Sequence, residues 1–359
     1  MKTTGKKVIL SHKNGISIQE FPIPSPDKNQ VLVETICNLI SAGTELGIRK
    51  LFQQGRTYGE HVIGVPKWLK NFSSIPEREI GYSNIGRIVE IGSALQANPD
   101  FTLTPGEMVL SLGAHSSHVL VTAEPQNLIA VPEGLSPEEA TFGVLGSVSI
   151  YGVEIADIRF GDHVAIFGMG IVGQLALQMA SLCGCDTLTA IDIEPMRLAI
   201  AQKSGATHAL NPEQCDIAEQ MASITGGKGV DVVIEASGYS SALVSAIEIA
   251  RPGAKIVLLG SPWEGIHEID FFLIHVKELK IVGCHQPRCP TTTTPFFPWT
   301  QEYNRTQVLK MIHQGKLDVE QLITHRLPFD HAQKAYEKLH EEKNKALGII
   351  LSWQTANNA

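Results

Sequence analysis

The sequence predicts an α/β protein in two parts, a strand-rich, barrel-like N-terminal domain followed by a doubly wound parallel sheet. Three observations carry this. The chain has 359 residues, more than one hydrophobic core ordinarily organises, so two domains are expected. Residues 1–150 consist mainly of short β-branched runs divided by Gly, Pro and Asn, the pattern of strands and turns. Beyond them strands alternate with helical periods, which implies a parallel sheet covered by helices on both faces.

Taken in order, Lys7–Leu10, Ile16–Glu20, Gln30–Leu39, Asn84–Ile91, Glu107–Leu112 and Ser117–Thr122 read as strands. At Ser136-Pro-Glu-Glu the period becomes helical, with Ser136 as N-cap, Pro137 in the first turn and Glu139 placed to complete a capping box. This helix is expected to run to about Ile155 and to connect the domains. Strands at 163–167, 187–191, 230–235, 254–260 and 278–283 then alternate with helices at 171–182, 195–203, 214–224 and 240–250. Gln286–Gln301, rich in Pro, Thr and aromatic residues, reads as an irregular crossing segment. Helices at Asn304–His313 and Asp330–Glu341 follow, then a strand at Ala346–Leu351 that returns to the first domain. The expected division is 1–150, completed by 300–359, and 151–299.

The run Val164-Ala-Ile-Phe-Gly168-Met-Gly170-Ile171-Val172-Gly173 carries the strongest functional signal. A short apolar strand ends at Phe167, and the glycines let the backbone turn tightly and approach a pyrophosphate, while Gly173 lets the next helix pack close to the strand. The N–H groups of Ile171 and Val172, at the start of that helix, suit an anion because they lack helical acceptors and sit at the positive end of the dipole. Asp192 ends the second strand and is placed to accept hydrogen bonds from adenosine ribose hydroxyls, which favours NAD over NADP because a 2′-phosphate beside a carboxylate is repelled. Arg197 either stacks on the adenine or is a solvated helix residue.

Composition sets limits on partners. A net charge of −8 without a basic stripe argues against nucleic acid. No apolar run reaches spanning length, and the N-terminus lacks a signal-like core, so no membrane association and a cytoplasmic location are expected. The six cysteines show no repeated spacing and suit reduced thiols. Cys284-His285 and Cys289 lie close together but lack an evident fourth ligand.

The order of elements, together with Gly168–Gly173, Asp192–Arg197, Lys203–His208, Asp231–Gly238 and Gly253–Gly260, resembles the medium-chain dehydrogenase/reductase superfamily over nearly the whole chain. The resemblance implies a GroES-like β-barrel catalytic domain beside a Rossmann cofactor domain, with a small-molecule substrate entering the interdomain cleft and a homodimer or homotetramer as the assembly. The departures concern zinc. Where zinc alcohol dehydrogenases of the family have a Gly-Ile-Cys-Gly-Thr-Asp type of segment, this chain has Leu39-Ile-Ser-Ala-Gly-Thr44-Glu45, without cysteine. Their Gly-His-Glu becomes Gly81-Tyr82-Ser83, no third ligand stands around Phe142–Leu145, and no cysteine occurs between Cys37 and Cys183 to build the structural lobe. Zinc prefers four N, S or O donors, so neither a catalytic nor a structural zinc is expected. The segments are similar to a zinc-less branch of the superfamily.

Hydride transfer asks chiefly for geometry, but a proton must move at the substrate oxygen as the hydride does. The resemblance puts Thr44 where the family has a hydroxyl bonding the substrate alcohol; a plain turn threonine is the other reading. Tyr82, at the missing histidine ligand, either donates its phenol to a carbonyl oxygen or fills the space left by metal. In the family's order His115 falls near the substrate pocket, where an imidazole relays protons in either direction. Glu45 matches an acid behind the ligands, and its roles are to orient Tyr82 or His115, to bond a sugar-like hydroxyl, or to form a surface salt bridge. On the cofactor side the resemblance adds Ser237, Gly260 and His285, the last approaching the nicotinamide. Arg56, Tyr58, His61, Trp68 and Lys70, with Trp299, suit either a substrate lid or a subunit contact.

These expectations converge on a zinc-independent NAD(P)-dependent oxidoreductase acting on a secondary alcohol or ketone, with polyols, sugars and cyclitols in view. A quinone or enoyl reductase of the same superfamily is the alternative, although Gly-Met-Gly-Ile-Val-Gly follows the alcohol and polyol dehydrogenases. A non-catalytic dinucleotide-binding sensor is the third, and it requires a cleft too closed or too apolar for substrate.

Overall fold

The computed structural model describes residues 3–11, 15–54, 63–65, 77–262, 269–295 and 297–353. The chain divides into two compact units, one formed by Met1–Thr141, Ile323–Glu342 and Gly348–Ala359, the other by Phe142–Leu322 and Lys343–Leu347.

The first unit is built on strands β1 (Thr4–Ser11), β2 (Gly15–Pro22), β3 (Gln30–Leu39), β4 (Glu77–Glu79), β5 (Asn84–Ile91), β6 (Met108–Ser111), β7 (His118–Thr122) and β8 (Leu128–Ala130), with β15 (Ile323–Pro328) and β16 (Gly348–Ser352) from the C-terminal return. One sheet runs β2-β1-β4, the other β15-β16-β3-β5-β6-β8, and β7 also pairs with β3. Alternation drives the packing: Val31 and Val33 on β3 meet Ile88 and Ile91 on β5, Val109 on β6, and Val119 and Val121 on β7 in one core. The predicted return strand is present, since β16 pairs antiparallel with β3, Ile350 opposite Leu39. Its neighbour β15 escapes sequence reading because its alternation is broken by the polar run Thr324-His-Arg.

The second unit holds β9 (His163–Phe167), β10 (Thr187–Ile191), β11 (His208–Leu210), β12 (Val230–Glu235), β13 (Ala250–Leu258) and β14 (Lys280–Gly283), in the order β11-β10-β9-β12-β13-β14. The strands pair in parallel throughout. Ala165, Phe167, Val233 and Ile256 form a core with Leu243, Ala246 and Ile247 of the helix Ser240–Ile249. The order reverses at β9, flanked by β10 and β12, and sheets of this kind bind ligands at the carboxyl ends of the strands at such a point.

Boundaries differ from expectation. The first unit gives way to the second after Thr141 rather than at 150, and the second extends to Leu322 rather than 299. The capping box at Ser136 forms, its Oγ accepting from the Glu139 N–H and donating to the Glu139 carboxylate, but that helix stops at Ala140 and a second one starts at Phe142. This second helix, Phe142–Ala156, belongs to the parallel-sheet unit because it packs there so closely. A Cβ on Gly146 would lie 2.4 Å from a methyl of Val308, which sits on the helix Gln301–His313. Ser149 Oγ also donates to Val172 O, tying it to the helix Ile171–Ser181.

Among the described residues no helix is long and apolar enough to cross a membrane.

Candidate active site

The glycine turn of the second unit has the expected form, and its three glycines answer to different constraints. Gly168 has φ +87, and a Cβ there would lie 2.6 Å from the Ser237 amide nitrogen, so both the left-handed backbone and the close neighbour exclude a side chain. At Gly173 a Cβ would lie 1.8 Å from Gly168 O. Gly170 is different: nothing lies within 4 Å of where a Cβ would sit. It is the N-cap of Ile171–Ser181 and supplies no side-chain cap to that helix. The first-turn N–H groups of Ile171 and Val172 have no acceptor within the helix, which fits a dinucleotide pyrophosphate.

Asp192, largely buried, accepts from the Met169 N–H at 2.6 Å and from the Glu194 N–H at 2.8 Å, one on each oxygen. The carboxylate is thus fixed at the end of β10 with a lone pair left on each oxygen, suited to ribose hydroxyls. Arg197 does not lie free on its helix. Its guanidinium donates to Lys343 O at 3.3 Å and Ala346 O at 3.5 Å, so the solvated-helix reading gives way to a residue that fastens the 343–347 segment. The Ser237 hydroxyl donates to Glu235 and accepts from the Tyr239 N–H, which leaves it holding its own turn. The Gly260 N–H donates to Glu235 O at 2.7 Å. His285 follows β14 and is exposed, its imidazole pushed below the ordinary value by desolvation and then by the Arg288 guanidinium.

In the first unit a helix begins where sequence reading assigned no element and offered a turn only as one reading of Thr44. Ala42–Gln54 is helical despite two glycines, which disfavour helix; burial of Leu51 and the bond from the Ser41 N–H to the Glu45 carboxylate at the helix start offset this. Thr44 and Glu45 thus project from a helical first turn. Tyr82 OH reaches Ser41 Oγ at 2.5 Å and Thr44 Oγ1 at 3.2 Å. Burial raises the phenol above its ordinary value, against the pull of those two hydroxyls, so it keeps its proton at neutral pH.

Behind this hydroxyl cluster lies a buried charge centre. Glu45, 2% exposed, accepts from the Ser41 N–H at 2.8 Å and pairs with His115 Nε2 at 3.0 Å. The Tyr336 hydroxyl also donates to it. The surface salt bridge is therefore excluded, and Glu45 orients His115 and the Ser41 backbone. His115 is fully buried, and its Nδ1 has no hydrogen-bond partner among the described residues.

Sequence reading missed Tyr336. The only available signal was the apolar face Ala332, Ala335, Tyr336, Leu339 of the helix Ala332–Glu341, which reads as ordinary core. Glu235 was missed too: it ends an apolar strand as Asp192 does, but it lacks the spacing from the glycine turn that singles Asp192 out. Trp299 stands edge-on to Phe297 at 5.1 Å, and Phe297 to Tyr151 at 6.0 Å, so it is packed within the second unit. Arg56, Tyr58, His61, Trp68 and Lys70 lie outside the described residues.

Zinc, which the resemblance brings into view, needs N, S or O donors in tetrahedral array. At the hydroxyl cluster the groups present are neutral hydroxyls bonded to one another, and the nearby carboxylate is committed to three donors. Among the described residues no group of three or more His, Cys, Asp or Glu is placed to hold a metal ion. These residues do not fit a tetrahedral zinc.

Known proteins are similar to this chain in sequence and in fold. Residues 172–302 match the family model described as zinc-binding dehydrogenase. An alcohol dehydrogenase of Cupriavidus necator is 27% identical, over 96% of this chain and 98% of its own length. A sorbitol dehydrogenase of Bacillus subtilis is 26% identical, over 96% of both. Among solved structures, a Sinorhizobium meliloti dehydrogenase bound to NADP superposes with a TM-score of 0.75 at 22% identity, covering 98% of this chain and 100% of that one. An Escherichia coli alcohol dehydrogenase complexed with NADH gives 0.77 at 20%, covering 98% and 100%. The fold and its glycine turn define a nicotinamide-dependent oxidoreductase. Over residues 172–302 the chain matches the zinc-binding dehydrogenase family, and along nearly its whole length it is similar to alcohol and sorbitol dehydrogenases.

Proposed function

We propose that this protein oxidises a secondary alcohol, or reduces the matching ketone, with NAD as the preferred cofactor and without zinc. The supporting observation is the hydrogen-bonded cluster of Ser41, Thr44 and Tyr82. A bound nicotinamide takes or gives the hydride. In reduction Tyr82, protonated at neutral pH, gives its proton to the substrate oxygen and regains one from solvent water through the Ser41 and Thr44 hydroxyls; in oxidation the same relay runs in reverse and the substrate proton ends on solvent water. Such a donor lowers the barrier as charge develops on that oxygen. Glu45, held by Ser41, His115 and Tyr336, keeps the helix start and the imidazole in place.

The substrate class we favour is a polyol or sugar, because neutral hydroxyls match a poly-hydroxylated ligand, and the sorbitol dehydrogenase among the relatives acts on such a compound. Asp192 underlies the NAD preference, since a 2′-phosphate would meet its carboxylate. The cysteines among the described residues are free, in keeping with a reducing compartment. We further propose a homodimer formed through the parallel sheet. β14 ends the sheet with one edge open, and Phe271 and Phe272, 74% and 69% exposed, stand on the helix just before it.

The test is a screen of polyols, sugars and ketones with NAD and with NADP, on protein whose metal content is measured. Turnover is expected with NAD, at well below one zinc per chain. Tyr82→Phe is expected to lower turnover about a hundredfold while leaving NADH affinity intact. Stoichiometric zinc whose removal abolishes activity, or full turnover in the Tyr82 variant, overturns the reading.

A further inference from the structure

Glu235 ends β12 and is 3% exposed, with its carboxylate turned onto the loop that follows. Its Oε1 takes the Ser237 N–H at 2.7 Å and the Gly238 N–H at 3.0 Å, and its Oε2 takes the Gly238 N–H at 3.1 Å. The Ser237 hydroxyl donates to it as well. The backbone of the same residue holds a second loop, because Glu235 O accepts from Leu259 N at 2.9 Å and Gly260 N at 2.7 Å. Next to it, Ala236 N donates to Phe167 O at 2.8 Å. One residue therefore secures the turns leaving β12 and β13 against the end of β9, where the glycine turn starts.

A carboxylate buried this far from water costs free energy unless its oxygens are satisfied. Ser or Thr can cap a turn without that cost, so the placement of a full acid here calls for a function. Its effect is to draw in the N–H groups of residues 237 and 238 and to press Ser237 against Gly168, where no Cβ fits. Asp192 does the corresponding work on the other side by holding Met169 N. Two acids at the ends of β10 and β12 thus brace the glycine turn from opposite sides. In a sheet of this order the β9–β10 half receives the adenosine mononucleotide and the β12–β13 half the other one.

We propose that Glu235 is a positioning residue for the nicotinamide half of the cofactor, its carboxylate setting the Ser237–Gly238 and Gly260 turns that form that half of the crevice. This rests on the nicotinamide reading given above. Glu235→Gln keeps size, shape and an acceptor at the Oε1 position, but removes the charge behind those bonds and sets an amide donor against the Gly238 N–H at the Oε2 position. NADH and AMP affinities of wild type and variant are to be measured by fluorescence and calorimetry, below the melting transition of each. The expected result is NADH bound about tenfold more weakly by the variant, with AMP within about twofold, because charge-assisted bonds are lost on one half only. Ser237→Ala, which removes the hydroxyl contact alone, serves if the first variant does not fold, and is expected to weaken NADH about threefold with AMP unchanged. Unchanged NADH affinity, or equal loss for NADH and AMP, overturns the proposal. A wild-type protein that fails to bind NADH instead overturns the underlying cofactor reading.

Discussion

Glu154 illustrates what burial does to a single residue. It sits on the helix Phe142–Ala156, accepts from Asn304 Nδ2 at 3.0 Å, and is pushed by desolvation from 4.5 up to about 7, the Asn304 bond opposing. The folded chain thus holds this proton more tightly than the unfolded one. Between the ordinary value and about 7 the native state binds more protons, so stability falls as pH rises through that window and levels off above it. Glu154→Gln is expected to melt higher than wild type at pH 8 and to lose most of that difference near pH 5, as thermal melts across this range would show. Legibility at this scale was uneven. Thr44, Glu45, Tyr82, His115 and Asp192 stood out because each replaces or repeats a motif position. Tyr336 and Glu235 did not, because their roles come from the groups they face; Tyr336 meets Glu45 across 291 residues of sequence.

Elements follow local rules where those rules are strong. The glycine turn, its strand and its helix were legible since each glycine meets a local constraint, and the sharpest is Gly173. A methyl there would lie 1.8 Å from Gly168 O, and relief requires the helix to back away from β9. Gly173→Ala is therefore expected to weaken NADH binding by more than about tenfold and to lower the melting temperature, since overpacking typically costs about 1–3 kcal/mol. Wild-type affinity would show that the turn yields more easily than the geometry implies. Elements whose local signal is weak went unread. The helix Ala42–Gln54 contains Gly43 and Gly47, and the short strands β4, β8 and β11 have three residues each, too few for a period to emerge.

At the scale of the whole molecule, the open edge of β14 and the exposed Phe271 and Phe272 predict an assembly. A chain of 39.0 kDa is expected to sediment at twice that mass, and Phe271→Ser with Phe272→Ser to shift it toward monomer without loss of secondary structure. A wild-type monomer at micromolar concentration would remove the proposed interface. The parallel sheet, the barrel-like strands and the dinucleotide turn were present in the residue pattern, because periodicity, capping and glycine dihedrals act over a few neighbours, whereas the order β11-β10-β9-β12-β13-β14 was not. Which unit claims the helix at Phe142, what Glu45 and Glu235 hold, and where Arg197 fastens were decided only when distant segments closed on one another. Those outcomes depend on packing and hydrogen-bond partners brought from far along the chain, and no local pattern encodes them.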